Sequence, residues 1–170
     1  MAEANSKADY LVGVDLGGTK ILAGVFTNSL KCVGRSKMST KAERGPAAVI
    51  DRIAHCVQDA VDECDLDIKQ VKGVGIGAPG SVDPENGRVI FAGNLGWKDI
   101  SLKKELEKQL QLPVFLQNDC NVCALGVHEV ELEGRPRTMV GIFLGTGIGG
   151  GIILDGKLFL GYNRTAGEVG

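Results

Sequence analysis

The chain has 170 residues, 44% of them hydrophobic, which is enough for one ordinary domain or for one domain and the beginning of another, and too apolar for a disordered chain. A formal net charge of −2, a pI near 5.7 and scattered Lys and Arg give no basic field for nucleic acid, so any phosphate binding must be local. Five cysteines, an odd number, behind a short polar start with no basic-then-apolar signal, point to reduced thiols and a cytoplasmic chain.

Residues 10 to 16, 20 to 26 and about 30 to 38 read as three strands in an antiparallel meander. The first turn is glycine-rich, GVDLGGTK from Gly13 to Lys20. Gly17 and Gly18 permit positive dihedrals and leave backbone N–H groups open to an anion, while Thr19 and Lys20 add a hydroxyl and a cation. Asp15 would repel phosphate unless a divalent cation lay between them, so the stretch suggests Mg-nucleotide. Pro46 starts a helix with apolar positions at Val49, Ile50, Ile53, Val57, Ala60, Val61 and Cys64. Cys32, Cys56 and Cys64 read as structural, and His55 as an exposed residue without a role.

Val71 to Ala78 is a strand with glycines at 73, 75 and 77, so one face lacks side chains and something must approach it; a packed helix is the favoured reading, a ligand the alternative. Turn signals at 79–81 and 83–87 flank a short run from Arg88 to Ala92, and Gly93 to Trp97 reads as a loop. Ser101 caps a helix bearing Leu102, Leu106 and Leu110. Val114 to Leu116 is a buried strand running into Asn118-Asp119, and 118 to 133 reads as a helix. The break at 134–137 marks a junction between residues 1–134 and 135–170.

Beyond it the opening recurs. Shifting the chain by 128 positions sets Leu11 to Val14 on Met139 to Ile142 and Leu16-Gly17 on Leu144-Gly145. Uncharged Thr138 to Leu154 is too short and too glycine-rich for a membrane span and reads as two strands with a turn. GTGIGG over 145–150 matches a dinucleotide fingerprint literally, but a strand follows it where that fingerprint needs a helix. Two strand-flanked glycine turns suit a nucleotide held between opposed hairpins. Asp119, at a strand end and a helix start, reads either as an N-cap or as a base, ionised by the helix terminus, that takes a hydroxyl proton in phosphoryl transfer. Cys120 and Cys123 form a C-x-x-C with no second pair and read as helix packing rather than zinc ligands.

Several stretches in order, GVDLGGTK, GAPGSVD, GNLGW, NDCNVCALG and GTGIGGGI, resemble the ROK family of sugar kinases and sugar-responsive repressors. That resemblance implies an α/β chain of the actin-like ATPase (ribonuclease H-like) fold: a mixed sheet whose three-strand meander is followed by parallel strands and flanking helices. It implies Asp119 as catalytic base, with Asn118, Glu168, Gly80, Ser81 and Asn94 on the sugar. It also implies Gly17, Gly18, Thr19, Lys20, Gly145, Thr146 and Gly147 on ATP, and Asp15 holding Mg2+ through water. Family members continue past GEVG into a histidine and a cysteine-rich loop for structural zinc, so Zn2+ and its ligands are expected only beyond residue 170. The implied protein is a cytoplasmic, ATP-dependent hexose kinase of glucokinase type, homodimeric at full length, with sugar and ATP as partners and neither nucleic acid nor membrane. The implied chain is a small lobe with the start of a large one, weakly active or inactive alone. A sugar-sensing regulator or a non-catalytic sugar-binding module is the alternative; the few residues ahead of the first glycine turn are too short for a DNA-binding fold.

Overall fold

The strands Tyr10–Leu16 (β1), Lys20–Thr27 (β2) and Cys32–Ser39 (β3) pair antiparallel, as their alternating apolar pattern requires. Val12, Val14 and Leu16 turn to one side of β1 and are buried; Leu11 and Asp15 turn to the other and are exposed. The computed structural model describes residues 9–145 and 147–170.

Helix α1, Pro46–Asp62, covers the buried side of the meander. Proline at its first turn costs no hydrogen bond there, and Val49, Ile53, Val57, Ala60 and Val61 supply a fully buried stripe. Each buried Val or Ile contributes ~1.5–3 kcal/mol of transfer free energy. Val71–Ala78 (β4) then pairs parallel with β1, and Val114–Asn118 (β8) parallel with β4, giving the order β3-β2-β1-β4-β8. The expected meander with added parallel strands is therefore present. Because β1, β4 and β8 run the same way, Asp15, Ala78 and Asn118 gather at one end of the sheet.

Between β4 and β8 the chain builds a small antiparallel sheet from Ser81–Asp83 (β5), Arg88–Ala92 (β6) and Trp97–Ile100 (β7). The loop expected through Trp97 is a short 3-10 turn, Gly93–Leu95, followed directly by β7, and the indole is fully buried. Helix α2, Leu102–Leu110, buries Leu102, Leu106 and Leu110 as expected, although Ser101 makes no side-chain capping bond.

The helix expected over 118–133 divides into α3, Asp119–Gly126, and a π turn, Val127–Glu131. The wider turn seats His128 inside the protein, with one ring nitrogen 2.9 Å from the Pro136 carbonyl and the other 2.6 Å from Glu129 Oε1. Thr138–Leu144 (β9), Ile148–Leu154 (β10) and Lys157–Leu158 (β11) form the last sheet, ordered β11-β10-β9. The β9–β10 hairpin has the form of β1–β2, down to a cross-strand glycine pair: Gly141 opposite Gly151, as Gly13 is opposite Gly24.

Candidate functional site

The first glycine turn is held from outside. Thr40, fully buried, donates its hydroxyl to the Gly17 carbonyl at 2.7 Å and its N–H to the Thr19 carbonyl at 2.9 Å. The Gly17 N–H closes the turn onto Lys20 O at 2.8 Å, so it is already engaged. Neither Gly17 nor Gly18 adopts a positive φ, which corrects the dihedral reason for glycine there. Close approach is the cause instead: a Cβ on Gly18 would lie 3.3 Å from Asn94, and one on Gly17 3.1 Å from Lys20 O. Thr19 and Lys20 are exposed, and Lys20 shares a 600 Å³ groove with Asp15, Arg35 and Lys37.

At the carboxyl ends of β1 and β8 two carboxylates come together. Partial loss of hydration, and then the nearby Asp119 carboxylate, raise the Asp15 pKa above its ordinary value. Asp119 is not the cap of α3. Asn118 is: its backbone is extended and its Oδ1 accepts the Asn121 N–H at 3.0 Å. Asp119 stands at the first helical position, where its Oδ1 accepts from Cys120 N at 2.8 Å and from Asn118 Nδ2 at 3.1 Å. The Asn118 amide nitrogen also donates to Gly80 O at 3.1 Å, so both amide hydrogens have protein partners and one acceptor lone pair remains.

A 350 Å³ cavity adjoins these groups, lined by Gly80, Ser81, Asn118 and Glu168 among others. Four of the five residues expected on a sugar thus share one cavity. Asn94 does not line it and packs against Gly18, between the cavity and the glycine turn. Gly80 has φ 83°, and a Cβ there would meet the Phe91 carbonyl at 2.2 Å, so β5 can lie on β6 only with glycine at this point. Asn121 lines the same cavity and was not singled out from the sequence. It is 3% exposed, donates to Gln117 Oε1 at 3.3 Å, and its own oxygen has no hydrogen-bond partner among the described residues. The helix reading of 118–133 assigned it no role; only its spacing of three from Asn118 signalled it.

Helix α3 lies between β4 and β8 of the first sheet and the β9–β10 hairpin. Val122 and the Asp119 backbone lie over Gly77, while Ala124 and Cys120 lie over Gly151 and Gly149. The helix expected to cover all the alternate glycines of β4 reaches only Gly77; Gly75 opens into a 620 Å³ apolar groove with Gly13, Gly24, Leu22 and Phe115. Cys120 is pushed up to about 11, by burial first and then by Asp119, which makes its thiol a packing group at neutral pH. Cys56 is buried, but Cys32 and Cys123 are exposed, which corrects the structural reading of Cys32 and the helix-packing reading of Cys123. In the second turn Gly145 N–H bonds to Gly147 O at 2.9 Å, and nothing lies within 4 Å of a Cβ at either glycine. Thr146 lies outside the described residues. Among those residues no helix is long and apolar enough to cross a membrane.

The ROK family matches residues 11–170. The chain belongs to the ROK family. Similarity to other ROK proteins runs along nearly the whole chain. A glucokinase of Halalkalibacterium halodurans is 35% identical over 95% of this chain and 49% of its own length. An N-acetyl-D-glucosamine kinase of Aliivibrio fischeri is 38% identical over 93% of this chain and 50% of its own. The crystal structure of a ROK family glucokinase from Streptomyces griseus, in complex with glucose and AMPPNP, aligns with TM-score 0.85 and 37% identity over 95% of this chain and 49% of that one. The ROK chain described here thus has the actin-like ATPase fold and spans about half the length of these relatives.

Proposed function

We propose that this chain belongs to an ATP-dependent hexose kinase, with glucose as its sugar and Asp119 as its general base. The observation that carries the reading is the position of Asp119, at the start of α3, next to Asp15 and beside the cavity lined by Asn118 and Glu168. In the reaction a sugar hydroxyl, the one on C6, bonds to the γ-phosphorus, the bond from that phosphorus to the β,γ-bridging oxygen breaks, and the hydroxyl proton passes to Asp119. Glu168 and the remaining Asn118 lone pair hold other hydroxyls, while Gly80 and Ser81 form the cavity floor. Gly18, Thr19 and Lys20 face the phosphates from one hairpin, and Gly145 and Gly147 from the other.

Asp15 would hold Mg2+ through water. Among the described residues no three ligating side chains cluster, and Asp15 is a carboxylate raised in pKa beside a second carboxylate. Such a donor set fits a metal that keeps most of its waters and leans on phosphate oxygens. When bound, the ion neutralises phosphate charge. Residues 1–134 form the small lobe in this reading, and 135–170 the first hairpins of the large one.

Calorimetry tests the assignment. Glucose and Mg-ATP, titrated separately, should each give heat; a response to sugar alone would identify a binding module, and no response to glucose would refute the kinase reading. Turnover by these 170 residues should be slow or absent. Any glucose-dependent ADP release should fall ~10²–10⁴-fold in Asp119→Asn, and its survival would remove Asp119 from the chemistry.

A further inference from the structure

The loop that follows β11 carries Glu168 to the cavity, and it is fastened at two points. Gly167, φ 96°, lies against β10 so closely that a Cβ there would be 2.6 Å from the Gly150 carbonyl. The other point is Arg164, whose φ of 60° is a left-handed conformation that an arginine adopts at a cost and a glycine does not. Its guanidinium Nη1 donates to Asp83 Oδ1, and Nη2 lies 2.6 Å from Glu85 Oε2. These acceptors belong to the end of β5 and the turn after it, about 80 residues earlier in the chain.

The acceptor is prepared. Asp83 also accepts from Asn86 Nδ2 at 2.7 Å and from Asn86 N at 3.3 Å, so its own turn holds the carboxylate still. Arg164 and Asp83 are about 32% and 20% exposed and Arg164 lines the cavity, whereas Glu85 stands largely in solvent. Arg164 and Thr165 line that cavity from one side, and Ser81 and Val82 from the other. Among the described residues no other ion pair joins the segment after β11 to the first half of the chain.

We propose that Arg164 is a positioning residue: by bridging to Asp83 and Glu85 it draws the 161–168 loop across the cavity and fixes Glu168 against the sugar. The inference rests on the kinase reading of that cavity. A guanidinium forked over two carboxylates is directional enough to set the loop, yet a partly exposed pair is weak enough to release it when sugar enters or leaves.

Arg164→Gly removes the clasp and relieves the backbone at once, so the variant should fold. Hydrogen exchange and glucose calorimetry on the 170-residue chain and on Arg164→Gly, Arg164→Lys and Asp83→Asn test the proposal. Exchange of amides in 161–168 and 83–87 should quicken roughly tenfold in Arg164→Gly, and glucose affinity should fall about five- to tenfold. Arg164→Lys should recover part of both effects, and 0.5 M salt should narrow the difference between wild type and Arg164→Gly. Unchanged exchange in Arg164→Gly would overturn the clasp. Faster exchange with unchanged glucose affinity would make it a structural tie and overturn the positioning role. If the wild-type chain gave no glucose heat, the kinase reading would fall, and the positioning role with it, while the exchange data would still decide whether the clasp exists.

Discussion

The two glycine hairpins share a sequence pattern and use it with opposite faces. In β1–β2 the aliphatic row Val12, Val14 and Leu16 is buried under α1, and the glycines opposite it open onto a groove. In β9–β10 the corresponding row, Val140, Ile142 and Leu144, is 60%, 61% and 80% exposed, while the glycine face is packed under α3. Within these 170 residues the same strand pattern thus carries its covering helix on opposite faces in the two hairpins.

The largest expected effect tests the aliphatic rows. Val14→Lys puts a charge under α1 and should abolish cooperative folding in urea, whereas Ile142→Lys should leave stability within ~0.5 kcal/mol. Equal loss in both would mean that the second row is covered after all. The glycine faces give a smaller, opposite contrast. Gly151→Ala places a Cβ 2.5 Å from that of Ala124 and should cost ~1–3 kcal/mol, while Gly75→Ala, with nothing closer than 4.0 Å, should be near neutral in the same melts.

Much of this was legible in the chain. Strand and helix periods gave β1 to β4, α1 and α2, and the glycine turns marked both hairpins and the cavity edge. What stayed hidden depends on contacts between distant segments. Asn118 and Asp119 are both good capping residues, and only the extended backbone at 118 decides between them. Nothing in the spacing of Thr40 predicts that it clamps a turn more than twenty residues earlier. Gly17 and Gly18 signalled freedom of backbone angle, but the fold uses their lack of a side chain.

Smaller effects concern charge at the ends of the hairpins. Asp15 has its pKa raised, so its ionised form opposes folding: the penalty is absent below the ordinary value of 3.8, develops as pH rises to the folded value, and is full above it. Asp15→Asn should therefore melt higher than wild type at pH 7 and no higher at pH 3. His128, next to the entry into β9, is shifted up by its bond to the Pro136 carbonyl and then by Glu129. Its contribution is present below pH 6.5 and is lost as pH rises through the folded value, so amides in 134–137 should exchange faster, after correction for intrinsic rate, at pH 8 than at pH 6.

The contact of Gly18 with Asn94 has a consequence for how the protein can change over generations. A single hydrogen atom on Gly18 separates the first glycine turn from the 3-10 turn beside the cavity, so the two cannot drift independently. A substitution that enlarges either side must be matched on the other, and variants at 18 and 94 should show non-additive fitness. In a lineage that replaced Asn94 by a bulkier residue, Gly18 could gain no side chain unless one of the two turns shifted away from the other.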